Sequence, residues 1–331
     1  MRTFTFKGLF LTAVFMLLGC LSIQAADDDL ITQQITIKLD KAGTLPNKIE
    51  SSKKYKITNL KIAGEINGTD LRMIREMAGS DYQDGYPTEG KLSVLDLSEA
   101  KIVEGGDDYY FNHFLQNHYY TSNDEIGASA LEGCSKLTSI TLPVGITKIG
   151  IAAFENCSGL TSLTLPSSLT RIGACAFFGC TGLTSLTIPV GITEIKYGTF
   201  DGCSGLTSLT LPSSITTIGE IAFLGCSGLA SIYVYAEKVP QMDNYVFGGC
   251  DAKKCTIYVP KGTYDDYRSS TFGYFENIVE FDATGIDKTT TSTNIEEVSR
   301  YSVNGQRLNG PTKGLNIVKY SDGSVKKVAV E

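Results

Sequence analysis

The side chains with the most chemical potential in this 331-residue sequence are nine cysteines and two histidines. Five of the cysteines, Cys134, Cys157, Cys180, Cys203 and Cys226, follow one another at a constant interval of 23 residues. Thiols at regular spacing could bind a metal or pair as disulfides. Zinc needs four ligands converging tetrahedrally, and a strictly periodic row cannot converge them; no histidine falls in it. Side chains pointing in parallel from neighbouring units give a poor disulfide dihedral. A small apolar residue filling a repeated bend fits the spacing better, and burial would keep the thiols reduced. Cys175 and Cys255 lie off the row, and Cys250 with Cys255 could form a bridge. His113 and His118 sit in one short aromatic segment, Tyr109 to Tyr120. No phosphate loop, H-E-x-x-H or G-x-S-x-G is present. The sequence therefore assigns no catalytic residue, no metal ligand and no cofactor.

The elements that must position these residues come from the repeat. Ile126, Ile149, Ile172, Ile195 and Ile218 share the 23-residue period, as do Leu137, Leu160, Leu183, Leu206 and Leu229. Leu131, Phe154, Phe177, Phe200 and Phe223 precede the cysteines, and Pro143, Pro166, Pro189 and Pro212 recur likewise. L-x-x-L-x-L reads as a short strand, the proline as its end, and I/L-T-x-I as a second extended piece. A-F-x-x-C reads as a tight bend that buries Phe and Cys. No unit can bury its apolar set alone, so the units stack. The expected fold is a right-handed, slightly curved solenoid of parallel strands about 4.8 Å apart, its five units spanning about 24 Å.

The pattern L-x-x-L-x-L-P-x-x-I/L-x-x-I-G-x-x-A-F-x-x-C resembles the BspA-like leucine-rich repeats of surface and secreted proteins from Gram-negative anaerobes. The resemblance places five leucine-rich repeats at 126–241 and a degenerate repeat with a C-terminal cap at 242–282. Residues 26–125 read as an N-terminal cap with irregular rungs and a helix from Gly68 to Met77. Residues 283–296 read as a linker. A small β tail follows at 297–331, with Asn304-Gly305, Asn309-Gly310 and Asp322-Gly323 as hairpin signals. The tail resembles C-terminal sorting segments of exported proteins, but it is shorter and ends in Glu331 where a base is more usual.

At the N-terminus, Arg2 and Lys7 precede an apolar run from Gly8 to Leu21, too short for a membrane span. Ala25 and Ala26 follow, which marks residues 1–25 as a signal peptide cut after Ala25. The remaining chain would carry 27 basic against 36 acidic residues, a net charge of −9. Leu17-Leu18-Gly19-Cys20 also resembles a lipobox, which would anchor a lipid at Cys20. Both readings export the chain to the cell surface or the medium. An acidic chain, −7 overall, is a poor nucleic-acid binder.

Binding surfaces are the remaining question. The outward ladder of Ser139, Thr141, Ser162, Thr164, Ser185, Thr187, Ser208 and Thr210 favours strand geometry. Hot spots are usually aromatic. The candidates are therefore Tyr109, Tyr110, His113, His118, Tyr119 and Tyr120 at one end, and Tyr233 and Tyr235 at the other, where Tyr245, Tyr258, Tyr264 and Tyr267 also cluster. The variable outward positions Lys148, Arg171, Glu194 and Thr217 are a third set. The resemblance implies a non-catalytic scaffold that adheres to host matrix proteins or other bacteria. The alternatives are a glycan-capture module and an envelope component without a soluble ligand.

Overall fold

The computed structural model describes residues 29–282 and, as a separate unit, the backbone of four strands between 297 and 330. The stretch 1–25 read as a signal peptide, Cys20 and the stretch 283–296 read as a linker lie outside the described residues. In the second unit, Glu297–Ser302, Arg307–Leu308, Gly314–Tyr320 and Val325–Val330 form an antiparallel sheet. The small β tail expected at 297–331 is thus a four-stranded sheet, with a two-residue strand at Arg307–Leu308.

The first unit is a solenoid. In the unit that opens at Leu160, alternation turns Leu163 inward and leaves Ser162 and Thr164 exposed. Pro166 ends the strand, and Leu169 N donates back to Pro166 O at 3.1 Å to close the turn. Arg171–Ile172 then forms the second short strand. The bend to the next unit needs two left-handed residues per turn. One directly precedes each repeat cysteine and is Gly133, Gly179, Gly202, Gly225 or Gly249, with Asn156 the exception at φ 57°. Glycine and asparagine tolerate that region best. Close stacking fixes another glycine: a Cβ at Gly182 would lie 2.6 Å from Ser158 O of the preceding rung.

Stacking repeats this unit into two ladders. The long ladder is parallel throughout and begins upstream of the regular repeats. Strands β1 (Ile35–Leu39), β2 (Asn59–Ile66) and β3 (Val94–Ile102) lead into Ser139–Thr141 and Ser162–Thr164. It resumes as Ser185–Thr187, Ser208–Leu211, Ser231–Val234, Thr256–Pro260 and Asn277–Phe281. The second ladder runs from Glu125–Ile126 through Lys148–Ile149 to Arg171–Ile172, and again from Glu194–Ile195 through Thr217–Ile218 to Gln241–Met242. One apolar core continues from Leu39 to Phe275. Within the stretch read as a cap, β1 to β3 are therefore true rungs of the sheet.

Both ladders are interrupted at the same place, between the rung of Ser162–Thr164 and that of Ser185–Thr187. The bend stays joined there: Cys175 N donates to Tyr197 O, Phe177 N to Thr199 O and Gly179 N to Asp201 O, at 2.8–3.0 Å. Strand pairing thus lapses at this place in both ladders, while the bends and the Thr184 hydroxyl, which donates to Thr161 O at 3.3 Å, still join the two rungs. A cleft of about 500 Å3, floored by Leu163, Leu165 and Leu186, marks the opening. Leu163 and Leu165 are 8% exposed, whereas Leu209 and Leu211 two rungs later are fully buried. Seam-facing amides of 162–164 and 185–187 should exchange with deuterium at least about ten-fold faster than those of 208–211 and 231–234. Uniform protection across these rungs would contradict an open seam.

Two insertions interrupt the early period. The helix Gly68–Met77 has the expected bounds, and its start is a capping box. Thr69 N donates to Asn67 Oδ1 at 3.1 Å and Asn67 N to Asp70 Oδ2 at 3.0 Å. The other insertion is an antiparallel hairpin, β4 (Gly105–Asn112) and β5 (Asn117–Thr121), which carries the Tyr109–Tyr120 segment.

Candidate binding surfaces

The cysteine ladder is a structural device. Cys134, Cys157, Cys180, Cys203 and Cys226 are fully buried, and all eight described cysteines are free thiols, Cys250 and Cys255 included. The reading as small buried residues is extended by a directional contact. Each of the four thiols after Cys134 donates to the carbonyl of the large apolar residue one rung earlier. Cys157 Sγ reaches Leu131 O at 3.0 Å; Cys180, Cys203 and Cys226 reach Phe154, Phe177 and Phe200 O at 3.1 Å. Desolvation pushes Cys134 up to about 11 and Cys203 up to about 12, and moves Cys157, Cys180 and Cys226 upward as well. These sulfurs stay protonated as donors, the state that thiolate chemistry cannot use. Among the described residues, no group of three His, Cys, Asp or Glu side chains is placed to hold a metal.

The hairpin divides its aromatic residues into two sets. Tyr109 and Tyr110 are 1% and 2% exposed, which corrects their expected place on a binding surface. Tyr109 Oη donates to Ala128 O at 2.7 Å and Tyr110 Oη to Glu132 Oε1 at 3.2 Å. They fasten the hairpin to the first repeat. Arg75, fully buried on the helix, completes that joint. Its guanidinium lies 4.6 Å from the Tyr110 ring centroid and donates to Ser129 O, Ala130 O, Ser80 Oγ and Asp81 O. No local pattern in the sequence points to Arg75, because its partners lie up to 55 residues away.

The second set faces solvent. His113 Nδ1 lies 2.8 Å from Asp84 Oδ2, and His118 Nδ1 lies 2.7 Å from Asp108 Oδ2, with Arg72 also paired to Asp108. Phe111 lies between the two imidazoles, 4.4 Å from the His113 ring and 4.3 Å from that of His118. Tyr120 is exposed beyond His118, and Tyr119 is half-buried against Tyr110. The tip residue Phe114 is 93% exposed.

At the other end, Tyr233 and Tyr235 lie half-buried on the outer face of the long ladder. Tyr233 is in register with Tyr258 on the next strand, and the two rings stack 4.4 Å apart. Phe281 stands edge-on to both Tyr233 and Tyr235, at 6.3 and 5.1 Å. These four rings form one patch where the small hydroxyls of Thr164, Thr187 and Thr210 give way to aromatics. Phe281 was missed in sequence because it joins through strand pairing across 46 residues of chain separation from Tyr235. The hydroxyl face itself is outward as expected, and Thr161, Thr184 and Thr207 also tie rungs together by donating to the carbonyl 23 residues earlier.

One half-buried carboxylate carries a pH signature. Glu155 sits one repeat after Glu132, and burial together with the Glu132 charge pushes its carboxyl up to about 7. An acid raised above its ordinary value near 4.3 opposes folding once it is charged. Its contribution is complete below about pH 4 and is lost as pH rises through about 7. Glu155→Gln should therefore raise the melting temperature at pH 8 and leave it unchanged at pH 4. Equal melting curves for the two proteins at pH 8 would contradict this.

Comparison with known proteins agrees with this geometry. Residues 124–254 match the family described as BspA type Leucine rich repeat region, in six copies. That is one copy more than the five regular repeats, and it takes in the degenerate unit around Cys250. No curated protein matches the chain. Similar solved structures include a leucine rich cell surface protein from Faecalibacterium prausnitzii A2-165, at 23% identity and a TM-score of 0.36. That match covers 72% of this chain and 49% of the other, so this chain spans about half of that protein's length. A T. pallidum leucine rich repeat protein matches at 19% identity over 62% of this chain and 85% of its own, with a TM-score of 0.32. The pneumococcal vaccine antigen PcpA matches at 15% identity over 68% and 69%, with a TM-score of 0.37. No described helix is long and apolar enough to cross a membrane.

Proposed function

We propose, from a repeat region of the BspA leucine-rich type, that this chain is an exported, non-catalytic scaffold that holds extracellular protein partners against its long ladder. Adhesion to host matrix proteins or to other bacteria is the use that the repeat type suggests. The carrying observation is the patch of Tyr233, Tyr235, Tyr258 and Phe281. It sits on a fully packed core, so its rings are pre-positioned and lose little freedom on binding, which is what makes an aromatic anchor effective. From Thr141 to Thr210 that face is small hydroxyls, which a partner can cover without desolvating charge. Export follows from the signal-peptide pattern of residues 1–25.

A second reading has its own support. Two stacked tyrosines with an edge-on phenylalanine also offer a flat face to a sugar ring, which favours capture of a neutral glycan. Parallel arrays of matrix proteins and oligosaccharides, probed with the full chain, separate the two. The adhesion reading expects protein binding that weakens at least about ten-fold in Tyr233→Ala/Tyr258→Ala. Sugar binding lost in the same variant, with no protein bound, favours glycan capture. Silence on both arrays would leave an envelope component without a soluble ligand and end both readings.

A further inference from the structure

A cleft of about 370 Å3 opens on the second ladder, away from the aromatic patch. Between Lys136 and Lys238 the sequence holds only three basic residues, Lys148, Arg171 and Lys196. All three line this one cleft. Lys148 and Arg171 are direct register partners on paired parallel strands. Like charges held opposite each other cost stability, so the arrangement asks for an anion between them. Lys148 Nζ is 2.6 Å from Glu125 Oε1 and Lys196 Nζ is 3.3 Å from Glu194 Oε2. Arg171 is exposed and makes no ion pair with any described carboxylate. Main-chain donors add to this. Ala128, Ile151 and Ala174, at the same place in three successive bends, also line the cleft, and their amides meet no acceptor among the described residues.

The distribution of charge indicates the ligand. The bases are spread over three successive rungs, about 4.8 Å apart where the strands pair, so an extended anion suits them better than a compact one. Two of the three are partly neutralised and the whole chain is acidic, which disfavours a densely charged strand such as nucleic acid. Apolar surface lies beside the charges: Ile151 in the cleft is 61% exposed, and Tyr197, next to Lys196, is 51% exposed. A ring with a flat apolar face and a sparse negative group matches both.

We propose that this cleft binds an acidic oligosaccharide, with Arg171 holding a carboxylate or sulfate between Lys148 and Lys196 and Tyr197 facing a sugar ring. The site lies on the other ladder from the aromatic patch and does not depend on what that patch binds.

The test uses the full chain and three probes: size-defined chondroitin sulfate, its desulfated form and uncharged maltohexaose. Chondroitin sulfate should bind with an affinity that falls as salt rises, and maltohexaose should not bind. Retention of the desulfated form identifies the carboxylate as the bound group, and its loss identifies the sulfate. Arg171→Gln should weaken binding about ten-fold and Arg171→Glu more, while Arg171→Lys keeps most of it. Lys238→Glu, which removes a base outside the cleft, should change nothing. Unchanged melting temperatures show that the variants are folded. Equal binding by Arg171→Glu, equal binding of maltohexaose, or no binding of either chondroitin form would overturn the proposal. So would capture of poly-glutamate at the same cleft with both chondroitin forms silent.

Discussion

Phe200→Ala is expected to cost about 3–5 kcal/mol and to split thermal unfolding into two transitions. Phe200 is fully buried, and its ring stacks 5.3 Å from both Phe177 and Phe223, within 4° of parallel. Removing a large buried ring forfeits its transfer energy and leaves a cavity that neighbouring rungs cannot fill. The position adds to the effect. In a stacked array each unit touches only its neighbours, so stability is a sum of units and interfaces. Strand pairing already lapses in both ladders on the N-terminal side of this rung, where the bends with their phenylalanine stack, helped by the Thr184 to Thr161 hydrogen bond, carry the connection. Weakening that stack separates an N-terminal block from a C-terminal one. Calorimetry of the full chain checks this. A single transition with a loss under about 1 kcal/mol would show that the phenylalanine stack does not couple the blocks.

The second large effect appears in alkali. Seven buried thiols are held protonated in the fold. Burial pushes Cys203, Cys250 and Cys255 up to about 12 and Cys134 up to about 11. An unfolded thiol releases its proton near 8.5. A group whose folded value is raised contributes stability that is complete below its unfolded value and lost as pH rises toward the folded one. The window is therefore roughly pH 8.5 to 12. Each such thiol contributes about 1.4 kcal/mol per pH unit there, so seven together amount to about 10 kcal/mol per unit at full slope. That exceeds or equals the whole stability of many domains, and unfolding should be complete within about two pH units above 8.5. Tyr109, Tyr110 and Tyr267, whose phenols burial also pushes upward, steepen the fall above about pH 10. Denaturant titrations at pH 8, 9 and 10 measure the slope. Cys203→Ala should lower stability at pH 8 but make its decline with pH shallower by about 1.4 kcal/mol per unit. A decline of the same steepness in that variant would mean that the ladder thiols are not held protonated by the fold.

The repeat array was legible because its signal is redundant. The same 23-residue spacing recurs in cysteine, leucine, isoleucine and proline, so no single substitution hides it. Upstream the period is broken by the Gly68–Met77 helix and the Gly105–Thr121 hairpin, and β1 to β3 read only as irregular rungs. Their membership in the sheet rests on pairing between distant residues, such as Leu60 with Leu95 and Leu95 with Ile140. The hairpin tyrosines show the same limit. An aromatic-rich loop suggests a contact surface, yet what decides for Tyr109 and Tyr110 is Ala128, Glu132 and Arg75, none of them local. Strand alternation turns Tyr233 and Tyr235 outward and Tyr258 falls in the same aromatic cluster of the sequence, but only strand register brings Phe281 to them. Lys148 and Arg171 were visible as variable outward positions, and Lys196 was not, because it occupies a place where the other repeats mostly carry glycine. Their convergence depends on how closely the rungs stack.

The central claim is that this chain binds a partner without transforming it. The direct measurement is to saturate the immobilised full chain with a protein captured from the matrix array, elute that protein and compare its mass with that of the input. The account predicts saturable binding, a partner recovered at unchanged mass, and capture reduced at least about ten-fold by Tyr233→Ala/Tyr258→Ala. A partner recovered cleaved or chemically altered, or capture unaffected by the double substitution, would contradict it.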